Sequence, residues 1–323
     1  MIDFRYHVVS IVAIFLALAT GIALGAGPLD DEISGGLVNE AERDRAEEEE
    51  ELRSDLEEAS AVADYHEEFA EAVAPTVLDD RLGNHSVMLL TLPDADADTV
   101  DALGADVERT GATVAGEVAV SEDLLDPGNR TTAQSLATQV LDGVEGIPPL
   151  RDATSYQIVG FAVGRGLLTT VEGGAGLDAK AQEIRSAFEG AGFLSYEGEP
   201  STRGTLLLVV AGSPHGTPEP GVDELMSSLV GAMDSVAMGS VVAGPTDAAE
   251  DGGAVSAVRD NDAGDTVSTV DVAQIAAGRV ATMLALAEQV AGETGQYGIG
   301  AGTDSSVPEV TDPQPEPDVA GEG

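Results

Sequence analysis

Twenty residues from Val8 to Gly27, VVSIVAIFLALATGIALGAG, carry no charge and only Ser10 and Thr20 as polar side chains. A helix of that length, at ~1.5 Å per residue, measures ~30 Å, which is the hydrocarbon thickness of a bilayer. Lipid offers backbone groups no hydrogen-bond partners, so a single crossing segment has to be helical. Arg5 and His7 precede the stretch, whereas Asp30, Asp31 and Glu32 follow it. The basic flank stays in the cytoplasm, so the segment reads as a single-pass anchor in the cell membrane, with residues 28–323 exported. Two other readings stand beside this one. A secretory signal peptide has a shorter apolar core, and the small residues around Ala23-Leu24-Gly25 offer a cleavage site. A buried soluble helix would show polar residues at each turn. Ala13, Ala17, Gly21 and Gly25 recur at four-residue steps. Such a small-residue stripe lets two helices approach closely in lipid and suits a homodimer, although glycine and alanine are common in any membrane span.

Residues 29–75 read as an acidic helical stalk of partial coiled-coil character. Leu29, Ile33 and Leu37 keep one apolar edge, and Leu52, Leu56, Ala59, Ala63, Ala70 and Val73 restore a three/four spacing. Between them Glu47 to Glu51 leave nothing apolar to bury, which is the pattern of a solvated face. Arg43 with Glu47 and Arg45 with Glu49 support the helix by a few tenths of a kcal/mol each, and forty residues of helix span ~60 Å.

The whole chain of 323 residues has 59 acidic and 14 basic side chains, a formal charge of −45. Phosphate backbones require stripes of Lys and Arg, so nucleic acid is excluded as a partner. The repulsion is strong at low salt and mostly screened at ~1 M, where the Debye length is ~3 Å, so the composition suits a salty habitat. There is no cysteine, hence no disulfide, thiolate nucleophile or Cys zinc site.

Past Pro75 the pattern predicts a globular region over 80–300, a mostly parallel α/β sheet with helices on both faces. Expected strands are Ser86 to Leu92, Thr113 to Val120, Leu206 to Ala211, Val236 to Val242, Ala254 to Val258 and Val267 to Val270. Expected helices are Thr99 to Arg109, Ala133 to Leu141, Tyr156 to Leu168, Asp178 to Gly190, Val222 to Met233 and Ala273 to Val290. Ile147-Pro148-Pro149 suggests a split into two lobes near 147–150. Residues 301–323, acidic and rich in proline, read as a disordered tail.

No constellation assembles into a catalytic, cofactor or metal site. Pro93-Asp94-Ala95-Asp96-Ala97-Asp98 follows the first strand as in dehalogenase-type phosphatases, but no lysine is placed to neutralise a phosphate. As an EF-hand the loop would need Gly at Thr99 and Glu at Ala105. An aspartate helix cap explains it better. Gly212-Ser213-Pro214-His215-Gly216 sits where α/β sheets bind ligands, without the spacing of a nucleophile elbow. Gly173-Gly174-Ala175-Gly176 lacks the phosphate-loop lysine and reads as a loop. Met226, Met233 and Met238 have core spacing, so the six methionines and four histidines announce no copper site. The expectation is a protein that is not an enzyme.

Two stretches carry a resemblance. Ser10 to Leu18 with Gly21-Ile22-Ala23-Leu24-Gly25 is similar to the opening of the actinobacterial MctB family of copper transport outer membrane proteins. So is Val267-Ser268-Thr269-Val270-Asp271 with Gly278, Arg279, Thr282, Leu284 to Glu288 and Gln296-Tyr297-Gly298-Ile299-Gly300. The order of anchor, acidic helix, α/β region and closing motif matches as far as residue 300. The resemblance implies a part in copper efflux or homeostasis at the cell envelope. It also extends to SteB-like envelope proteins, which implies as the alternative a coiled-coil scaffold controlling cell-wall hydrolysis and cell separation through an envelope partner. Ser268, Thr269, Val270, Asp271, Gly278, Arg279, Tyr297 and Gly298 are motif residues of unassigned role. A barrel needs eight or more strands of about ten residues alternating in polarity, and Val8 to Gly27 offers no polar lining for a pore. Copper is therefore expected as an ion handled indirectly, through partners or wall assembly.

Overall fold

The computed structural model describes residues 13–20, 30–144, 150–198, 201–214 and 221–310, and the chain divides into compact units of residues 1–65 and 66–323. In the first unit residues 13–20 form helix α1, whose side chains are exposed and include Ala13 and Ala17. Gly21 and Gly25 lie outside the described residues, as does most of the expected membrane segment. Among the described residues no helix is long and apolar enough to cross a membrane. Helix α2, Asp30–Leu78, is 49 residues long and contains Pro75. The proline removes one intrahelical bond near the last turn, where the helix is about to end, so the helix runs on where the sequence suggested a stop.

The second unit is built on strands β1 (Ser86–Thr91), β2 (Thr113–Val120), β3 (Ala175–Gly176), β4 (Leu194–Glu197), β5 (Thr202–Arg203), β6 (Leu206–Val210), β7 (Gly239–Ala243), β8 (Ser268–Val270) and β9 (Gln296–Tyr297). The main sheet runs β4-β2-β1-β6-β7-β8-β9, parallel except for β4, while β3 and β5 pair separately. Strands from both sides of 147–150 thus share one sheet, and 145–149 themselves lie outside the described residues. The helices are α3 (Ala97–Arg109), α4 (Glu122–Leu125), α5 (Arg130–Val140), α6 (Ser155–Leu167), α7 (Ala179–Gly190), α8 (Val222–Asp234), α9 (Ala254–Arg259) and α10 (Ala276–Val290).

Alternation along the strands divides the core in two. Met88, Leu90, Leu207 and Val209 pack with α5, α6, α7 and α8 on one face. Val87, Leu89, Leu208 and Val210 pack with the end of α2, with α3 and with α10 on the other. Both faces are covered, which is why these strands read as unbroken apolar runs. Each fully buried Leu or Val contributes about 1.5–3 kcal/mol to the sandwich.

Three expectations change. Ala254 to Val258 is the helix α9 and not a strand. Val255, Ala257 and Val258 are all buried, so the segment is apolar without the period that marks a helix. The strand expected from Val236 begins only at Gly239. The segment after Gly300 stays on the fold as far as it is described, to Val310. Ser305 bridges Tyr297, the Gln296 N–H donates to the Asp304 carboxylate at 3.0 Å, and the Glu309 N–H donates to Glu288. Residues 311–323 lie outside the described residues.

On the edge pair, Glu117 of β2 sits directly opposite Glu197 of β4. Burial first, then the charges of Glu197 and Asp101, push the Glu117 carboxyl above the usual glutamate range. Its charged form therefore opposes folding. The stability that protonation confers is present at low pH and is lost as pH rises through the raised value. Glu117→Gln should stabilise by about 0.5 kcal/mol at pH 7 and by little below the ordinary glutamate pKa. Urea denaturation at both pH values checks this, and an equal gain at both would refute it.

Candidate functional site

The motif residues at the carboxyl end of the sheet converge on a cation that the sequence did not single out. Arg259, at the end of α9, donates from Nε to Thr269 Oγ1 at 2.7 Å and from Nη1 to Asp271 Oδ2 at 2.7 Å. It also reaches the Tyr297 carbonyl at 2.7 Å and the Ala301 carbonyl at 2.9 Å. The Arg259 and Asp271 side chains are 2% and 0% exposed. Asp271 accepts further bonds from the Ile299 and Gly300 N–H groups at 2.8 and 2.9 Å. A buried pair survives only when further hydrogen bonds serve its other polar atoms, and here each guanidinium nitrogen and each carboxylate oxygen has at least one. Gly298, at φ 127°, packs so closely that an added Cβ would overlap Asp271 Oδ1.

The neighbouring motif residues extend this knot. Thr269 Oγ1 donates to Gln296 Oε1 at 2.6 Å, and Gln296 Nε2 donates to the carbonyls of Gly264 and Val267. Ser268 Oγ accepts from Gln289 Nε2 at 2.9 Å and from the Gly295 N–H at 3.1 Å. The Tyr297 hydroxyl donates to Glu288, and burial together with that carboxylate pushes its pKa upward. Val270 is buried in the sheet. Ser268, Thr269, Asp271, Tyr297 and Gly298 are thereby brought together, with Arg259, Gln289 and Gln296 added to them.

Gly278 and Arg279 serve a second centre, on the first turns of α10. The Glu67 carboxylate of α2 accepts from the Ala276 N–H at 2.9 and 2.8 Å, capping a helix whose own N-cap, Ile275, has no side-chain acceptor. Arg279 reaches Glu67 at 3.5 Å, Glu71 at 3.8 Å and Asp106 of α3 at 3.3 Å. Asp106 is also paired with Arg109. A Cβ on Gly278 would overlap the Val272 carbonyl oxygen, so α10 can start this close to the preceding loop only through glycine. The motif thus fastens the last turns of α2, and α3, to α10. Arg279→Met should raise amide exchange across residues 66–78 by about fivefold or more, the equivalent of ~1 kcal/mol of local opening. Unchanged exchange there would show that the centre does not hold α2.

Ligands of parallel sheets bind at the strand ends where the strand order reverses, here between β1 and β6. A cleft of about 550 Å³ opens there, lined by Pro93, Asp94, Glu122, Asp126, Ser213 and Met226 among others. No His, Lys or Arg is among the described residues lining it. The crevice beneath is closed by backbone, because Gly212 packs directly on the peptide between Asp94 and Ala95. Asp96 caps α3, accepting from the Thr99 N–H at 2.9 Å and the Thr99 hydroxyl at 2.7 Å, and this lowers its pKa. The Asp-x-Asp stretch is therefore a helix start. Ser213 Oγ donates to Asp247 at 3.1 Å, and His215 lies outside the described residues. Gly173 and Gly174 turn the chain into β3. Met226 and Met233 are buried on α8. Among the described residues no group of three or more His, Cys, Asp and Glu is arranged to hold a metal ion.

The chain matches the model of a family described as copper transport outer membrane protein, MctB, over residues 1–308. Proteins named copper transporter MctB from Mycobacterium tuberculosis and Mycobacterium bovis are 29% identical over 318 residues, covering 94% of this chain and 98% of theirs. The protein of the same name from Mycobacterium leprae aligns to the same extent.

Proposed function

Because this chain belongs to the MctB family of copper transport outer membrane proteins, we propose that it serves copper handling at the cell envelope as a tethered, non-enzymatic scaffold. In this reading copper is not conducted by the chain itself. Residues 8–27 hold it in the cell membrane with the amino terminus in the cytoplasm. The α/β unit stands outside and acts through an envelope partner.

The observation that carries the reading is the sheet. It is open, mostly parallel and covered by helices on both faces, with its longest strand, β2, at eight residues. A lipid-facing wall takes strands of ~9–11 residues that alternate in polarity and close on themselves. The same reading has two copies paired through the amino-terminal segment and α2, where Leu52, Leu56 and Val62 are exposed. The acidic surface disfavours nucleic acid.

A paired experiment tests it. Deleting the gene should lower copper tolerance of the host, while full-length protein in liposomes holding a Cu(I)-responsive dye should admit no more copper than empty vesicles. Copper flux above that background would overturn the scaffold reading, and unchanged tolerance would remove copper handling.

A further inference from the structure

Basic residues are scarce in this chain, and the well-buried Arg259 and Arg279 each meet at least one acid of their own. Arg165 and Arg203 are different. Both depend on Asp178: Arg165 Nη2 lies 2.7 Å from Asp178 Oδ2, and Arg203 Nη2 lies 3.5 Å from the same oxygen. The other oxygen, Oδ1, is committed to the Ala181 N–H at 2.8 Å, where Asp178 caps α7. One carboxylate oxygen is thus shared by two guanidiniums whose side chains are 21% and 13% exposed.

Each guanidinium also keeps a buried N–H with no partner among the described residues, Nη1 of Arg165 and Nε of Arg203. A buried donor left unmade costs about 1–3 kcal/mol, more when it is charged. Burial, and then the charge of Arg165, lower the Arg203 pKa, which reports the same crowding of cations. Two guanidiniums therefore share one carboxylate at the start of a twelve-residue helix, whose first N–H groups add positive potential.

We propose that Arg165 and Arg203 form a binding site for a phosphate-type oxyanion, which balances the surplus cation of the pair. Guanidiniums suit this ligand because their planar forks match oxyanion geometry. Asp178 acts as the internal competitor that holds the arginines in place when the site is empty.

Calorimetric titration of the full-length protein in detergent, with inorganic phosphate and separately with glycerol phosphate, tests the site. Ionic strength is held constant with chloride, because the net charge makes every binding term salt-dependent. Wild-type protein should give a saturable heat. Arg165→Gln/Arg203→Gln should abolish it. Asp178→Asn should tighten binding by about tenfold or more, since asparagine still caps α7 while the competing charge is gone. Binding of inorganic phosphate alone assigns a free anion, and binding of the ester assigns an esterified headgroup; both support the site. No saturable heat from either ligand would overturn it. Equal affinity in wild type and Asp178→Asn would do the same, and that variant keeps the test decisive should the double variant fail to fold.

Discussion

Replacing Arg259 with leucine should destabilise the α/β unit by about 3–5 kcal/mol, the cost of leaving a buried carboxylate without its countercharge. Asp271 is 0% exposed and would keep only the N–H groups of Ile299 and Gly300. The tie from α9 to the Tyr297 and Ala301 carbonyls would go as well, so the β8–β9 edge should loosen first. Arg259→Lys retains the charge but not the fork that serves four acceptors at once. It should fall between wild type and Arg259→Leu. Urea denaturation followed by circular dichroism measures both, and a loss below about 1 kcal/mol for leucine would mean that the knot is not what closes this edge.

Gly278→Ala is the second large effect, expected to cost about 3 kcal/mol through overpacking. The added methyl meets the Val272 carbonyl, a backbone atom that cannot swing aside as a side chain would. Relief requires α10 to move, and with it Arg279 and the Ala276 N–H that Glu67 caps. The substitution should therefore also raise amide exchange in the last turns of α2, far from it in sequence. Wild-type stability together with unchanged exchange at residues 66–78 would contradict the coupling. An equivalent loss at an exposed glycine with open space around it, such as Gly190, would show the effect to be generic to glycine.

The sheet was legible because its central strands are apolar on both faces. SVMLLT and LLLVV carry no other reading, and β2 followed from its spacing after α3. The edges were not legible. Strands β4 and β9 have four and two residues, too short for any periodic signal, and β4 opens with Leu194 right after a Gly-Phe turn. Helix α9 misled because Val255 and Val258 are β-branched and its six residues are too few to show a helical period.

The closing motif could be recognised by resemblance, but its meaning could not. Asp271 and Arg259 are twelve positions apart, on different elements, and only the parallel pairing of β7 with β8 and of β8 with β9 brings them together. Glu67 and Arg279 are separated by most of the chain. An abundance of acids hid which few were buried: among so many carboxylates, Asp106 and Asp271 look no different in sequence from solvated neighbours.

In the proposed reading a single anchor holds the α/β unit outside the cell membrane. Because the chain contains no cysteine, introduced ones at Asp3 and at the exposed Ser305 can be probed singly with a membrane-impermeant thiol reagent. The expected result is labelling of the Ser305 position in intact cells and of the Asp3 position only after permeabilisation. Labelling at position 3 from outside, protection of position 305, or a mature protein that lacks residue 3 would contradict it.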